Sequence, residues 1–137
     1  DVTIQARILS LLDELRRERN MALVLISHDL GVVAEAADRV AVMYAGQTME
    51  VAPSATLFAG PRHPYTAALL DALPARGTGR DRLPTIPGVV PGAYDRPQGC
   101  LFNPRCRYAD ETCRSVRPDL GDGAVRCHYP LTPLLAA

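Results

Sequence analysis

The 137-residue sequence contains no lysine, carries no net charge and has no proline before Pro53. All 15 basic residues are arginine, and 15 acidic residues balance them. Without lysine the chain cannot contain the lysine of a phosphate-binding loop, and its neutral charge gives no electrostatic signal for nucleic acid. No apolar run approaches the roughly 20 residues of a membrane-spanning helix, and residues 1–20 lack a signal-peptide pattern. We therefore expect a soluble, cytosolic protein with no nucleic-acid partner.

Proline divides the chain into two regimes, because nine of the 12 prolines lie at or after Pro74. This distribution predicts regular structure in the first half and irregular backbone in the second. We place an α/β part at 1–73, a Pro/Gly-rich linker at 74–98 and a small cysteine-rich extension at 99–137. The apolar anchors expected within the linker are Leu83, Ile86, Val89 and Val90. The sequence begins within a helical pattern and without methionine, so we expect a fragment.

The first half alternates helical and strand patterns. Apolar residues at helical spacing predict a helix over residues 3–19 that stops near Asn20. The apolar run MALVLI, at 21–26, predicts a strand covered on both faces in a largely parallel sheet, and a short buried helix is the alternative that the pattern leaves open. A short helix over 29–37 and a strand pair over 39–52 follow. Together these elements indicate an α/β layered domain.

The triplet Ser27-His28-Asp29 follows directly after the predicted buried strand. Ligands bind beyond the carboxyl ends of strands in such sheets, so His28 lies where chemistry usually occurs. The alternative is a capped turn, in which Ser27 or Asp29 accepts hydrogen bonds from the first amides of the next helix. The residues by themselves leave both interpretations open.

The tripeptide His63-Pro64-Tyr65 predicts the entry to another helix. Proline presets the backbone for a first helical turn, and leucines follow at helical spacing until Pro74. We expect His63 to be an exposed polar residue before a proline and give it no catalytic role.

Four cysteines, the only ones in the chain, lie within its last 38 residues. They are Cys100, Cys106, Cys113 and Cys127. So short a segment cannot bury enough apolar surface to fold alone and needs a covalent or metal cross-link. A reducing cytosol disfavours disulfides, zinc usually binds close cysteine pairs that this chain lacks, and an iron–sulfur cluster accepts wider spacing. Spacing alone leaves zinc and iron–sulfur open.

Charged residues next to the cysteines favour a thiolate site of either kind. The flanking arginines are Arg105, Arg107, Arg114 and Arg126, and nearby positive charge lowers the pKa of a thiol. The alternative is that these arginines are solvated loop residues. His128 is a candidate extra ligand, although four cysteines make it more a neighbour than a ligand.

Two stretches resemble a known family. Residues 12–52, LDELRRERNMALVLISHDLGVVAEAADRVAVMYAGQTMEVA, resemble the end of the ATP-binding subunit of ABC transporters. Residues 60–74, GPRHPYTAALLDALP, resemble the extension of the dipeptide and oligopeptide importers. The resemblance implies the C-terminal part of a P-loop NTPase fold, with Asp1 as the D-loop aspartate at the interface between two such subunits.

The same resemblance makes His28 the switch histidine, a catalytic and nucleotide-binding residue that contacts the γ-phosphate of ATP and helps to position the attacking water. Phosphoryl transfer depends mainly on charge stabilisation and alignment, and an imidazole donates to phosphate without a permanent charge. The family's phosphate loop, signature motif and Walker B residues precede the position of Asp1. The fragment alone should therefore not hydrolyse ATP.

The resemblance also implies cofactors and partners for the intact subunit. These are ATP with Mg²⁺, a second ATP-binding subunit in a homo- or heterodimer, transmembrane permease subunits and, indirectly, a peptide-binding protein. The implied location is peripheral, at the cytoplasmic face of the cell membrane. The pattern GCLFNPRCRYADETC followed by VRCHYP resembles the cysteine segment that holds a [4Fe-4S] cluster in peptide-importer ATPases, and it favours iron–sulfur over zinc. The alternative function is a non-enzymatic iron–sulfur or zinc module for docking or regulation.

Overall fold

The computed structural model describes residues 2–73 and 84–132 of the chain, with the side chains of residues 2 and 3 excepted. It contains two compact units, Asp1–Asp38 and Arg39–Ala137. Asp1 and the expected anchor Leu83 lie outside the described residues. The architecture is a mixture of helices and strands, as expected for the end of an ABC ATPase domain.

Unit 1 begins with helix α1, Val2–Glu18, which confirms the helix predicted over residues 3–19. The helix ends where Asn20 adopts a positive φ of 51°, a conformation that asparagine tolerates better than most residues. The N–H of Met21 then donates to the carbonyl of Arg16 at 3.0 Å, which satisfies a terminal carbonyl of the helix. The stop predicted near Asn20 is therefore confirmed.

The predicted buried strand at residues 21–26 is wrong for this chain. The structure assigns neither helix nor strand there, and the side chains of Val24 and Ile26 are 86% and 93% exposed. A strand needs neighbouring strands for its backbone hydrogen bonds, and the described part of unit 1 contains none. Helix α2, Leu30–Ala36, follows and confirms the short helix predicted over 29–37.

Unit 2 begins with an antiparallel hairpin of strands β1, Arg39–Tyr44, and β2, Gln47–Pro53. Its two-residue turn is Ala45-Gly46, and both residues have positive φ, at 48° and 79°. Such a turn matches the twist of the strands, and the glycine adopts it without strain. The strand pair predicted over residues 39–52 is therefore confirmed.

The hairpin contains one irregularity of register. Val42 pairs with Glu50, but the next residue, Met43, pairs with Thr48, which leaves Met49 as the extra residue of a bulge. Alternation of faces is therefore interrupted, and Met49 and Glu50 are both buried although they are consecutive.

Two short helices connect the hairpin to the rest of unit 2. They are α3, Ser54–Ala59, and α4, Pro64–Asp71. Helix α4 confirms the helix entry predicted at His63-Pro64-Tyr65, with the proline in its first turn.

The cysteine-rich extension is built around a 3-10 turn at Asn103–Arg105 and helix α5, Glu111–Ser115. Further along, Val125 forms an antiparallel bridge with Glu50. The N–H of Arg126 donates to the Met49 carbonyl at 2.7 Å, and the N–H of Val51 donates to the Ala124 carbonyl at 2.8 Å. The extension therefore pairs with β2 along the free edge of the hairpin.

The core of unit 2 joins the hairpin, helix α4 and the extension. Its buried centre consists of Tyr44, Met49, Cys100, Leu101 and Phe102. The ring of Phe102 stands edge-on to Tyr44 at 5.3 Å between centroids, an arrangement that aromatic rings prefer. The extension shares this core, so it buries apolar surface that a segment of its length could not enclose alone.

Residues 84–98 contain neither helix nor strand, as predicted for the linker. Ile86 packs against the core and confirms one expected anchor, whereas Val89 and Val90 are exposed and do not act as anchors. Arg105 explains the difference, because its guanidinium donates to the carbonyls of Ile86 at 2.9 Å and Pro87 at 2.7 Å. These bonds hold the chain against the core at Ile86 and Pro87.

Replacing Phe102 by alanine should lower the free energy of unfolding of unit 2 by about 3–5 kcal/mol, because a buried aromatic side chain leaves a cavity. Urea unfolding followed by tyrosine fluorescence measures the change. The control is Tyr94→Ala, since Tyr94 is fully exposed, and its effect should stay within about 0.5 kcal/mol. Equal effects of the two substitutions would contradict the position of this core.

Candidate functional site

His28 lies between two residues whose polar groups shape the turn before α2. The Oδ1 atom of Asp29 accepts hydrogen bonds from the N–H groups of Gly31 at 2.9 Å and Val32 at 3.2 Å. The N–H of Asp29 donates to Oγ of Ser27 at 3.0 Å. The capped turn is therefore present, and it leaves His28 exposed. A catalytic role of His28 stays a prediction.

The four cysteines lie in different local structures of unit 2, and all four are free thiols. Cys100 and Cys106 flank the 3-10 turn, Cys113 lies in α5, and Cys127 follows two residues after Val125. The N–H of Cys100 donates to the carbonyl of Cys113 at 2.8 Å, so two of the cysteine segments are in direct contact.

Burial raises the pKa of every one of these thiols, and it raises that of Cys127 to about 11. The other three thiols contribute to the increase at Cys127, since neighbouring negative charge disfavours a thiolate. The four sulfur atoms are therefore within electrostatic range of one another, although they are separated by up to 27 positions in sequence.

Backbone groups two or three residues further along the chain lower the pKa of three of the thiols against the larger effect of burial. They belong to Phe102 and Asn103 for Cys100, to Tyr108 and Ala109 for Cys106, and to Tyr129 for Cys127. Backbone hydrogen bonds to sulfur stabilise a thiolate, and they tune the sulfur ligands of iron–sulfur clusters.

Within residues 2–73 and 84–132, no group of three or more His, Cys, Asp or Glu side chains is placed to hold a metal ion. The metal site predicted from the four cysteines is therefore not supported by this arrangement. The thiols share one region of unit 2 without forming a compact set of ligands for a single ion.

Arg107 lowers the pKa of Cys106 and Arg126 lowers that of Cys100, as predicted, but burial outweighs their charge and both pKa values are raised. Arg105 instead holds the linker, and Arg126 donates to the carbonyls of Thr48 at 2.9 Å and Pro118 at 3.0 Å. Arg117, which the sequence analysis missed, lowers the pKa of Cys100 and donates to the Gly99 carbonyl at 3.1 Å. The arginines mainly serve backbone carbonyls in irregular segments.

Asp110 connects two of the cysteine segments. One of its carboxylate oxygens accepts from the Cys113 N–H at 2.9 Å, and the other accepts from the Tyr129 hydroxyl at 2.7 Å. These bonds hold the pKa of Asp110 at about 2. Next to Tyr129, the Nε2 atom of His128 lies 2.9 Å from the Val116 carbonyl.

The prediction that His63 is exposed is wrong, since the residue is only 1% exposed. Its Nδ1 atom accepts from the N–H of Tyr65 at 2.9 Å and so caps helix α4. Its own N–H donates to Oε2 of Glu50 at 3.0 Å, and the N–H of Arg62 donates to Oε1 at 2.8 Å. We call Glu50, Arg62 and His63 the Glu50 cluster. A lone carboxylate inside the apolar run of β2 is the signal that could have revealed it.

Burial lowers the pKa of His63 to about 4. The backbone of Arg126 lies near the imidazole and partly opposes this effect. The Nε2 atom of His63 makes no hydrogen bond of standard geometry to the part of the chain that the structure describes. His63 is therefore neutral at neutral pH, and its role is structural.

Residues 49–113 match the family described as "Oligopeptide/dipeptide transporter, C-terminal region". This range includes the His63-Pro64-Tyr65 tripeptide, the Glu50 cluster and three of the four cysteines. Residues 49–113 of this chain therefore resemble the C-terminal region of oligopeptide/dipeptide transporters. The resemblance to the ATP-binding subunits of peptide importers is confirmed.

Proteins with known names are similar to this chain over most of its length. It is 58% identical over 135 residues to the dipeptide transport ATP-binding protein DppD of Escherichia coli, and 56% identical over 134 residues to DppD of Haemophilus influenzae. These matches cover 96% of this chain and 41% of each relative. The oligopeptide transport ATP-binding protein OppD of Haemophilus influenzae is 50% identical over 120 residues, or 88% of this chain and 37% of the relative.

Among the residues that the structure describes, no helix combines the length and apolar character needed to span a membrane.

The stability of unit 2 should fall as the pH decreases from 6.5 towards 4. The folded-state pKa of His63 is lowered from 6.5 to about 4, so in this range the unfolded chain binds a proton that the folded chain does not. At neutral pH, the neutral buried His63 contributes about 3 kcal/mol to the free energy of unfolding relative to acidic pH. This contribution is fully present above the pKa of His63 in the unfolded chain, and it is lost as the pH falls through the pKa of His63 in the folded chain.

Urea unfolding at several pH values measures this effect, and His63→Asn is the comparison because asparagine can still accept from the Tyr65 N–H. Carboxylates contribute equally in both proteins, so the difference between the two pH profiles reports His63. Parallel profiles would show that His63 is not buried in its neutral form.

Proposed function

We propose that this chain is part of the ATP-hydrolysing subunit that powers import of dipeptides or oligopeptides by an ABC transporter. The observation that supports the proposal is the similarity of 96% of the chain to dipeptide transport ATP-binding proteins. The chain spans 41% of their length, so the phosphate-binding loop and the other motifs that precede Asp1 belong to the remainder of the subunit. The chain alone is then inactive as an ATPase.

His28 is the catalytic and nucleotide-binding residue that this chain contributes. Its side chain is exposed, while hydrogen bonds of Ser27 and Asp29 fix the backbone on either side. Mg-ATP, when bound, supplies the γ-phosphate that is transferred to water. In that complex the imidazole N–H donates to a γ-phosphate oxygen and aligns the attacking water, which is mainly an electrostatic and positional contribution.

The exposed apolar face of unit 1 supports the same proposal. A groove of about 430 Å³ runs between α1 and the segment after it, and it is lined by Ile4, Ile8, Leu12, Leu25, Ile26 and Val32, among others. Exposed apolar surface of this kind marks an interface. In the intact subunit the groove is covered by the remaining strands and helices of the ATP-binding domain.

The proposal includes partners that the intact subunit requires. Asp1 lies at the interface with a second ATP-binding subunit, in a homo- or heterodimer. The pair drives transmembrane permease subunits from the cytoplasmic face of the membrane, and a peptide-binding protein delivers the substrate. Residues 1–73 belong to the nucleotide-binding domain, 74–98 form the linker and 99–137 form the extension.

We also propose that Cys100, Cys106, Cys113 and Cys127 hold a [4Fe-4S] cluster. Four free thiols in one region of unit 2, three of which have nearby backbone groups that lower their pKa, suit a cluster with four thiolate ligands. The described residues contain no compact ligand set for a metal ion, so the proposal rests on the free thiols and on the resemblance of their segment to that of peptide-importer ATPases. Zinc is the alternative. If the cysteines act without ATP hydrolysis, the chain is a metal-binding module for docking or regulation.

In the intact subunit, His28→Ala should reduce ATP turnover at least about tenfold, because a group that aligns the nucleophile is lost. Nucleotide binding and folding should remain, and phosphate release measures the turnover. The control is Glu35→Ala, an exposed residue of α2, which should keep near-normal turnover. Near-normal turnover of His28→Ala would leave His28 as a residue of the capped turn only.

Anaerobically purified protein should absorb broadly near about 400 nm and contain about four iron and about four sulfide per chain, as this type of cluster requires. Replacing any one of the four cysteines by serine should weaken or abolish the colour, whereas the control Ser115→Ala in α5 should retain it.

Zinc at about one per chain would select the alternative site. Four free thiols with neither metal would remove the metal site from the proposal.

A further inference from the structure

The buried carboxylate of Glu50 has no role in the function proposed above. It is 1% exposed, and both of its oxygens accept backbone N–H groups, from Arg62 and His63. A carboxylate is costly to bury, and hydrogen bonds to both oxygens offset that cost only while the geometry is kept. Glu50 therefore fixes the backbone of the chain at residues 62–63 against β2.

The same region of β2 holds the segment that leads to Cys127. The bridge between Glu50 and Val125 is flanked by two hydrogen bonds, from Arg126 N–H to the Met49 carbonyl and from Val51 N–H to the Ala124 carbonyl. Cys127 follows immediately after this pairing. The position of the strand containing Glu50 therefore sets where the backbone enters Cys127.

The backbone leaving Cys127 is fixed through the same carboxylate. The N–H of Leu131 donates to the carbonyl of Arg62 at 2.7 Å. The N–H of Arg62 in turn donates to Oε1 of Glu50 at 2.8 Å. Both ends of the span 124–131 are thus attached to structure that Glu50 holds, and Cys127 lies between them.

We propose that Glu50 is a positioning residue for Cys127. It acts through the Glu50 cluster and through β2, without contacting the thiol. Glu50 would thereby help to place one ligand of the proposed cluster, and this part of the inference rests on the proposed function. The placement of Cys127 can nevertheless be measured in protein that contains no metal.

The test uses Glu50→Gln, which keeps the size of the side chain but replaces one acceptor oxygen by an NH₂ donor. One of the two N–H groups then faces a donor, and span 124–131 loosens. The matched control is Glu111→Gln, the same substitution at an exposed position inside the cysteine-rich extension. A second variant, Leu131→Pro, removes the donor at the far end of the span and leaves Glu50 unchanged.

The first readout is metal-independent. Reduced, metal-free protein is treated with iodoacetamide without denaturant, and peptide mass spectrometry gives the labelling rate of each cysteine. In Glu50→Gln and Leu131→Pro, the labelling rate of Cys127 should increase about tenfold relative to that of Cys113. This is the factor by which loss of one buried hydrogen bond shifts a local opening equilibrium. Glu111→Gln should label like the parent.

Unchanged Cys127 labelling in both variants would overturn the inference. An equal increase at all four cysteines in both would also overturn it, because that pattern reports general unfolding rather than loss of one position.

The second readout applies to protein reconstituted with iron and sulfide. Both variants should release iron to a chelator faster than the parent and change the visible circular dichroism of the cluster, which a mere decrease in stability does not change. Identical spectra and release rates would count against the positioning role. If the parent binds neither iron nor sulfide, the proposed cluster fails, and the labelling result alone decides the role of Glu50.

Discussion

The organisation of unit 2 depends on a single buried carboxylate. Glu50 is the one charged residue of strand β2, and its two oxygens hold the turn into helix α4. The neighbouring peptide groups of the same strand hold the end of the cysteine-rich extension. A buried carboxylate is costly without hydrogen-bond partners, so these pairings stabilise one another. Hairpin, helix α4 and extension therefore make one cooperative structure and not a domain with an appended tail.

Local patterns predicted most of the fold correctly, and the errors have a common cause. The helix over residues 3–19 and the hairpin depend on spacing and on turn residues, which act over short distances in the chain. The strand at 21–26 depends on neighbours for its hydrogen bonds, and no described strand of unit 1 supplies them. The exposure of Ile26 is thus the result of a correct apolar pattern without the partners that would bury it.

The candidate sites divide in the same way. The helix cap formed by Asp29 depends only on neighbouring residues in the chain, so the sequence could predict it as one of two interpretations of Ser27-His28-Asp29. The burial of His63 depends on Glu50, 13 residues earlier, and nothing local to the histidine predicts it. At the cysteines, the nearby arginines were visible in sequence, but the burial that outweighs their charge is a tertiary property. Charge can be read from a sequence, whereas desolvation requires the fold.

The bulge at Met49 has a consequence for how this region can change in evolution. Because of the extra residue, Met49 faces the aromatic core while Glu50, directly after it, faces the turn and the extension. Substitutions at either position alter one contact surface. Deleting or inserting one residue in β2 would exchange the two surfaces, placing a carboxylate among aromatic rings and an apolar side chain opposite two unpaired amides. The strand can therefore vary in composition but not in length.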